Sequence, residues 1–165
     1  MSIYSAFRKG IKAMIDEVRT PESAKMGEEF ENYVRQVFFP ESHYILVERT
    51  HSFSANQKDY VEASLKPDFT FRDRRNNREF YVEAKVRTGT FNNKIVWCTQ
   101  TQLNRYIDYN KQKPVFLILD YGGKDMFFSL IPLSKAKYTG LFVDYAERFE
   151  IIPDKLVTSS KLWSI

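Results

Sequence analysis

The sequence predicts a single α/β domain of 165 residues. Two early segments space apolar residues by threes and fours, residues 66–87 alternate by twos, and residues 115–121 form an apolar run of strand length. The length suits one core and not two. Apolar residues make up 43% of the chain and aromatics 16%, enough to bury that core, so a disordered chain is excluded. Cys98 is the only cysteine, which excludes an intrachain disulfide and a thiolate zinc cage. Neither a signal peptide nor a long apolar run is present, so a soluble, cytoplasmic protein with no membrane partner is expected. The formal net charge of +4 suits a nucleic-acid partner and is also ordinary for a soluble protein.

Ile3, Phe7, Ile11, Met14, Ile15 and Val18 predict an amphipathic packing helix over 3–18. Thr20-Pro21 marks the start of a second helix, with Phe30, Tyr33, Val34, Val37 and Phe38 as its apolar face and Phe39-Pro40 as its stop. The segment HYILVER, 43–49, reads as a first strand. Residues 50–65 show no period and read as a long loop, of the kind that often meets a substrate. A helix over 100–111 and a buried strand over 115–121 follow the hairpin described next. MFFSLIPL reads as one more strand, entered through Gly122-Gly123. From Lys135 onward no period is clean, and this stretch either caps the sheet or forms a homodimer surface. No repeat or linker divides the chain.

The segment KPDFTFRDRRNNREFYVEAKVR, 66–87, reads as a hairpin that sets charged residues into strands of Phe, Tyr and Val. Phe69 and Phe71 share one face of its first strand, and Phe80, Val82, Ala84 and Val86 share one face of its second. Asp68 and Thr70 lie opposite the first set, and Glu83 and Lys85 opposite the second. A two-residue turn at Asn76-Asn77 pairs Asp68 with Lys85 and puts Asp68 and Glu83 on a diagonal at roughly 7–8 Å between alpha carbons. A four-residue loop over Arg74–Asn77 faces Asp68 directly to Glu83. Either even-length loop gathers both carboxylates and the lysine on one face, whereas a slip of one residue separates them.

Two carboxylates this close repel, and their hard oxygens suit magnesium, with manganese as a substitute. Lys85 either neutralises a carboxylate as a structural ion pair or holds the water that attacks a phosphodiester. His43 and His51 have no Cys or Ser partner at a recognisable spacing, and no glycine-rich phosphate loop is present. Arg72, Arg74, Arg75 and Arg78 crowd the hairpin tip and Arg87 follows the triplet, as either a phosphate-contacting rim or a solvated tip.

Pro67-Asp68 followed by Glu83-Ala84-Lys85 resembles the PD-(D/E)XK nuclease superfamily, which includes restriction endonucleases, Holliday-junction resolvases and RecB-like exonucleases. KMGEEFENYV resembles the Gly-x-x-x-Glu helix of the resolvase-like members, with Gly27 and Glu31 at those positions and Glu28 as the alternative acid. Gln102-Leu103-Asn104-Arg105-Tyr106 resembles the QxxxY motif of RecB-like members, in which the pair faces the catalytic centre and the DNA backbone. Thr99 and Gln102 are also spaced as a capping box, which assigns the glutamine a purely structural role. The resemblance covers residues 22–121, and their order of helix, three strands, helix and strand matches the family core.

What the resemblance implies is a restriction-endonuclease-like fold, a mixed central sheet flanked by helices, and a magnesium-dependent deoxyribonuclease. Asp68, Glu83 and the Ala84 carbonyl would hold the metal, Lys85 would position the nucleophile, and Glu31 would support the metal or its water. Gln102, Tyr106 and Arg87 would contact DNA, with RNA left open. The competing expectations are a nucleic-acid-binding module that keeps the fold without cleavage, and a structural or protein-interaction domain.

Overall fold

A computed structural model describes residues 21–50, 65–122 and 127–165. The expected helix over 3–18, most of the loop over 50–65 with His51, and the second residue of the Gly122-Gly123 pair lie outside the described residues. The first described element is helix α1, Pro21–Tyr33, which continues into a π-helical turn at Val34–Phe38. Met26, Phe30, Tyr33, Val34 and Phe38 are buried from it, the three-and-four spacing that turns one stripe of a helix to a core.

The sheet has six strands: β1 Tyr44–Arg49, β2 Phe69–Asp73, β3 Glu79–Val86, β5 Val115–Asp120, β6 Phe128–Pro132 and β8 Glu150–Ile151. Their spatial order is β1-β2-β3-β5-β6-β8, antiparallel throughout except that β3 and β5 are parallel. Parallel neighbours need a crossover, and helix α2, Gln100–Asn110, lies within it. β5 is buried along its whole length, as expected of a strand covered on both faces. This is an α/β domain with a mixed sheet flanked by helices.

On one face of the sheet, Phe69, Phe71, Phe80, Val82, Phe116 and Ile118 pack with Phe30, Tyr33 and Phe38 of the α1 region. The C-terminal helix, Ser159–Ser164, closes the same face: Trp163 meets Phe80 edge-on at 5.6 Å and Phe116 at 6.0 Å. Asp73, buried at the hairpin end, accepts bonds from Ser159 Oγ and, at 2.8 Å, from Trp163 Nε1. The tail therefore caps the sheet. On the other face, Tyr81, Leu117 and Leu119 pack with Leu103 and Tyr106 of α2, with Ala146 of helix α3, Val143–Glu147, and with a separate ribbon. That ribbon pairs β4, Lys94–Val96, with β7, Gly140–Phe142, neither of which the sequence announces.

Candidate active site

The hairpin settles in the register of the longer loop. Phe69 pairs with Val82, Thr70 with Tyr81, Phe71 with Phe80 and Arg72 with Glu79, which places Asp68 opposite Glu83. The tip closes because Asp73 N–H donates to Arg78 O, Asn77 N–H to Asp73 O, and Arg75 N–H to Asp73 Oδ1, while Asn77 takes a φ of 60°. Asn tolerates that left-handed conformation better than most residues. Regular strand pairing begins at Phe69, so Asp68 stands just before β2.

The two acidic residues buckle to one another through the backbone. Asp68 N–H donates to Glu83 Oε2 at 3.2 Å, and Ala84 N–H donates to Asp68 Oδ2 at 2.8 Å. Glu83 Oε1 accepts from Lys85 Nζ at 2.8 Å and from Tyr106 Oη at 2.7 Å. The lysine's direct partner is thus Glu83, two residues back on its own strand, and not Asp68. Side-chain exposure is 5% for Glu83 and 17% for Lys85, so the ion pair is screened weakly by water.

Glu31 sits at the edge of the buried stripe of α1 and accepts from Arg49 Nη2 at 3.2 Å. Its carboxylate feels the charges of Glu83 and Glu28, and Asp68 in turn feels Glu31. Burial raises the Asp68 pKa well above the usual carboxylate range, repulsion from Glu83 and Glu31 adds to this, and Lys85 and the Ala84 N–H oppose it. Glu31 is raised in the same direction, chiefly by burial, against the pull of Arg49. Burial works against the Lys85 ammonium, but Glu83 and Asp68 outweigh it and hold the pKa above that of an ordinary lysine. Burial and then Glu83 push the Tyr106 phenol far up, so it remains a donor.

The remaining candidates separate. Tyr106 reaches the site. Gln102 is built into the capping box: its side-chain oxygen accepts the Thr99 N–H at 3.0 Å, and its own N–H donates to Thr99 Oγ1 at 3.2 Å. Arg87 spends its guanidinium on three backbone carbonyls, of Val86, Val96 and Trp97. The tip arginines are occupied too, by Glu79, the Glu41 carbonyl, Ser160 and the Trp163 ring. Arg72, the nearest of them in sequence, stands roughly 13 Å from Asp68 along β2, at ~3.3 Å per residue.

Comparison with protein-family models, with curated proteins and with solved structures finds no match. The chemistry of the site is therefore read from its own groups. Among the described residues no three His, Cys, Asp or Glu side chains gather into a ready-made metal cage. The donors that do face one another are all oxygens, and no donor among the described residues reaches Asp68 Oδ1. The pair of carboxylates, Glu83 buried and Asp68 half-buried, with a third carboxylate near it carries a repulsion that a hard cation would relieve.

Two participants were not singled out by the sequence. Arg49 was simply the last residue of a strand, and its pairing with Glu31 depends on the fold bringing the end of β1 within reach of α1. Trp97 stacks on Tyr106 at 5.7 Å and 19°, and so fixes the phenol from behind. The tryptophan had no motif around it. Its neighbour Cys98 is buried, with its thiol pushed up to about 12 by burial, which makes it a packing residue and not a nucleophile.

Proposed function

We propose that the chain is a metal-dependent nuclease of restriction-endonuclease-like fold that hydrolyses DNA phosphodiester bonds. The observation that carries this reading is the direct opposition of Asp68 and Glu83 across the hairpin, with Lys85 on the same face. Element order supports it as well: a helix, three strands of the main sheet, the short ribbon strand β4, a helix and a strand precede the C-terminal additions. Asp68 Oδ1, Glu83 and the Ala84 carbonyl would hold magnesium, which supplies Lewis acidity toward the phosphate and a lowered pKa of its water.

The chain's own groups do the rest. Lys85, kept protonated by Glu83 and Asp68, offers an ammonium to orient a water and to meet charge developing on the phosphate. Glu83 is fixed by Tyr106 and by the Asp68 N–H, so its carboxylate cannot swing away when a cation approaches. Glu31 is a positioning residue that presents a further acidic group at the margin, restrained by Arg49.

One observation favours a second reading, in which the fold binds nucleic acid without cutting it. The 2.8 Å Lys85–Glu83 pair already satisfies both groups without a metal, as a structural ion pair would. A cleavage assay over single strands, duplexes, nicked duplexes and junctions, with and without magnesium, decides between them. Metal-dependent cleavage of any of these supports the nuclease. Binding of one, with no cleavage of any, supports the module.

A further inference from the structure

The ribbon formed by β4 and β7 is fastened to the candidate site at two points. Arg87, two residues after Lys85, donates to the Val96 carbonyl at 2.7 Å and also to the Trp97 carbonyl. Trp97, stacked on Tyr106, donates its indole N–H to the Tyr138 carbonyl at 2.7 Å, and its backbone N–H to Thr139 O at 2.9 Å. The ribbon is thereby continuous with the residues that hold Glu83.

Its inner side chains, Ile95 and Leu141, are buried, whereas its outer face is open. Asn92 and Asn93 both have positive φ, the conformation a two-residue primed turn requires, and Phe91 and Lys94 exchange backbone bonds across them. By cross-strand register Phe91, Lys94, Val96 and Phe142 share the outer face, and Gly140 opposite Val96 adds no side chain. Phe91 is 74% exposed and Phe142 49%, with Lys94 Nζ 4.7 Å over the Phe142 ring. The segments that make the ribbon, 87–98 and 134–143, contain Arg87, Lys94, Lys135 and Lys137 and no Asp or Glu.

Two exposed rings with a lysine between them, on a two-stranded ribbon whose strands carry no Asp or Glu, match the two surfaces of a single nucleic-acid strand: stackable base faces and anionic phosphates. A duplex hides those base faces. We propose that the outer face of the β4–β7 ribbon binds unpaired nucleobases of the strand led to the candidate site, with Phe91 and Phe142 as stacking surfaces and Lys94 set against phosphate. The inference rests on the reading of the chain as a nucleic-acid enzyme and adds a substrate class to it.

The test uses fluorescence anisotropy in metal-free buffer, with labelled single-stranded DNA and RNA oligonucleotides and a blunt duplex of the same sequence. The whole chain should bind a single strand more tightly than the duplex. Phe91→Ala with Phe142→Ala should weaken single-strand binding about tenfold or more, at the scale of lost base stacking. Phe91→Trp with Phe142→Tyr should restore it, and Ile152→Ser, exposed on the far edge of the sheet, should change nothing. Thermal unfolding of each variant guards against a folding defect. Unchanged single-strand binding in the double alanine variant overturns the proposal, even where wild type cleaves. So does a wild-type dimer that the double variant converts to monomers without loss of binding, because a second copy then covers the face. Ribbon-dependent binding by a wild type that cleaves nothing upholds the ribbon and removes the nuclease. A wild type that binds no polynucleotide removes both.

Discussion

Tyr106 and Glu83, on different elements and 23 positions apart, are joined by a 2.7 Å hydrogen bond in which the phenol donates to Oε1, the oxygen that also takes Lys85. Hydrogen bonds to a charged partner are worth roughly 1.5–3 kcal/mol. Tyr106→Phe keeps the stack on Trp97 and deletes only this bond. Urea denaturation should show a loss of that size, and an unchanged midpoint would mean that water or Lys85 replaces the phenol at no cost.

Lys85→Met retains the apolar stem and removes the charge. Cleavage should fall by roughly 10²-fold or more, the scale of losing one aimed electrostatic group. Affinity for DNA should stay within about tenfold, since a single phosphate contact is the most the ammonium contributes. A parallel fall in binding and rate would assign Lys85 to substrate capture and not to chemistry.

Gln102→Ala addresses the capping box. Its geometry leads us to expect a loss of about 1 kcal/mol or less in stability, with cleavage preserved. A rate loss much larger than the stability loss would show that Gln102 leaves the cap to serve substrate.

The raised Asp68 and Glu31 carboxyls give stability a definite dependence on pH. Between the unfolded value, about 4, and the higher folded value, the native state binds more protons than the unfolded chain, so stability falls as pH rises through this window. Lys85, whose folded pKa is raised, contributes stability that is lost only as pH rises past the ordinary lysine range, about 10.4. Asp73 and Glu79, both depressed, act on the other side: their contribution is lost as pH falls below about 4. The unfolding midpoint followed from pH 4 to 8 should therefore decline for wild type, and Asp68→Asn should flatten the curve.

Manganese added at pH 8 should raise the unfolding midpoint of wild type, because binding to the native carboxylates alone stabilises by mass action. The rise should disappear in Asp68→Asn. An equal rise in that variant would locate the cation elsewhere.

The hairpin faces were legible because alternation is local: Phe69, Phe71, Phe80 and Val82 are buried together on the side opposite Asp68 and Glu83. The register was not, since Asn76-Asn77 resembles a two-residue turn as closely as Asn92-Asn93, which is the one that forms it. Asp73 and Asn77 close the longer loop through bonds that composition alone does not reveal. Gln102 carried two signals at once, and the capping bonds need only four consecutive residues, whereas contact with substrate needs the whole fold. The tail after Lys135 showed no period because its elements span only two to six residues, too few for a period to register. Its role depends on single contacts such as Trp163 against Phe80, which leave no pattern in a sequence.

The pairing of β2 with β3 spans few residues, whereas β3 meets β5 only after the crossover through α2 is ordered. Short-range closure costs less chain entropy and is kinetically favoured, so the hairpin can zip up before the phenol of Tyr106 arrives. Asp68 and Glu83 would then confront one another in an unfinished protein. The ammonium that offsets them is only two residues from Glu83 on the same strand, and so it travels with the repelling pair from the first moment of collapse. Moving that positive charge to a distant element would leave the native site equally balanced but would set an electrostatic barrier in the path that leads to it.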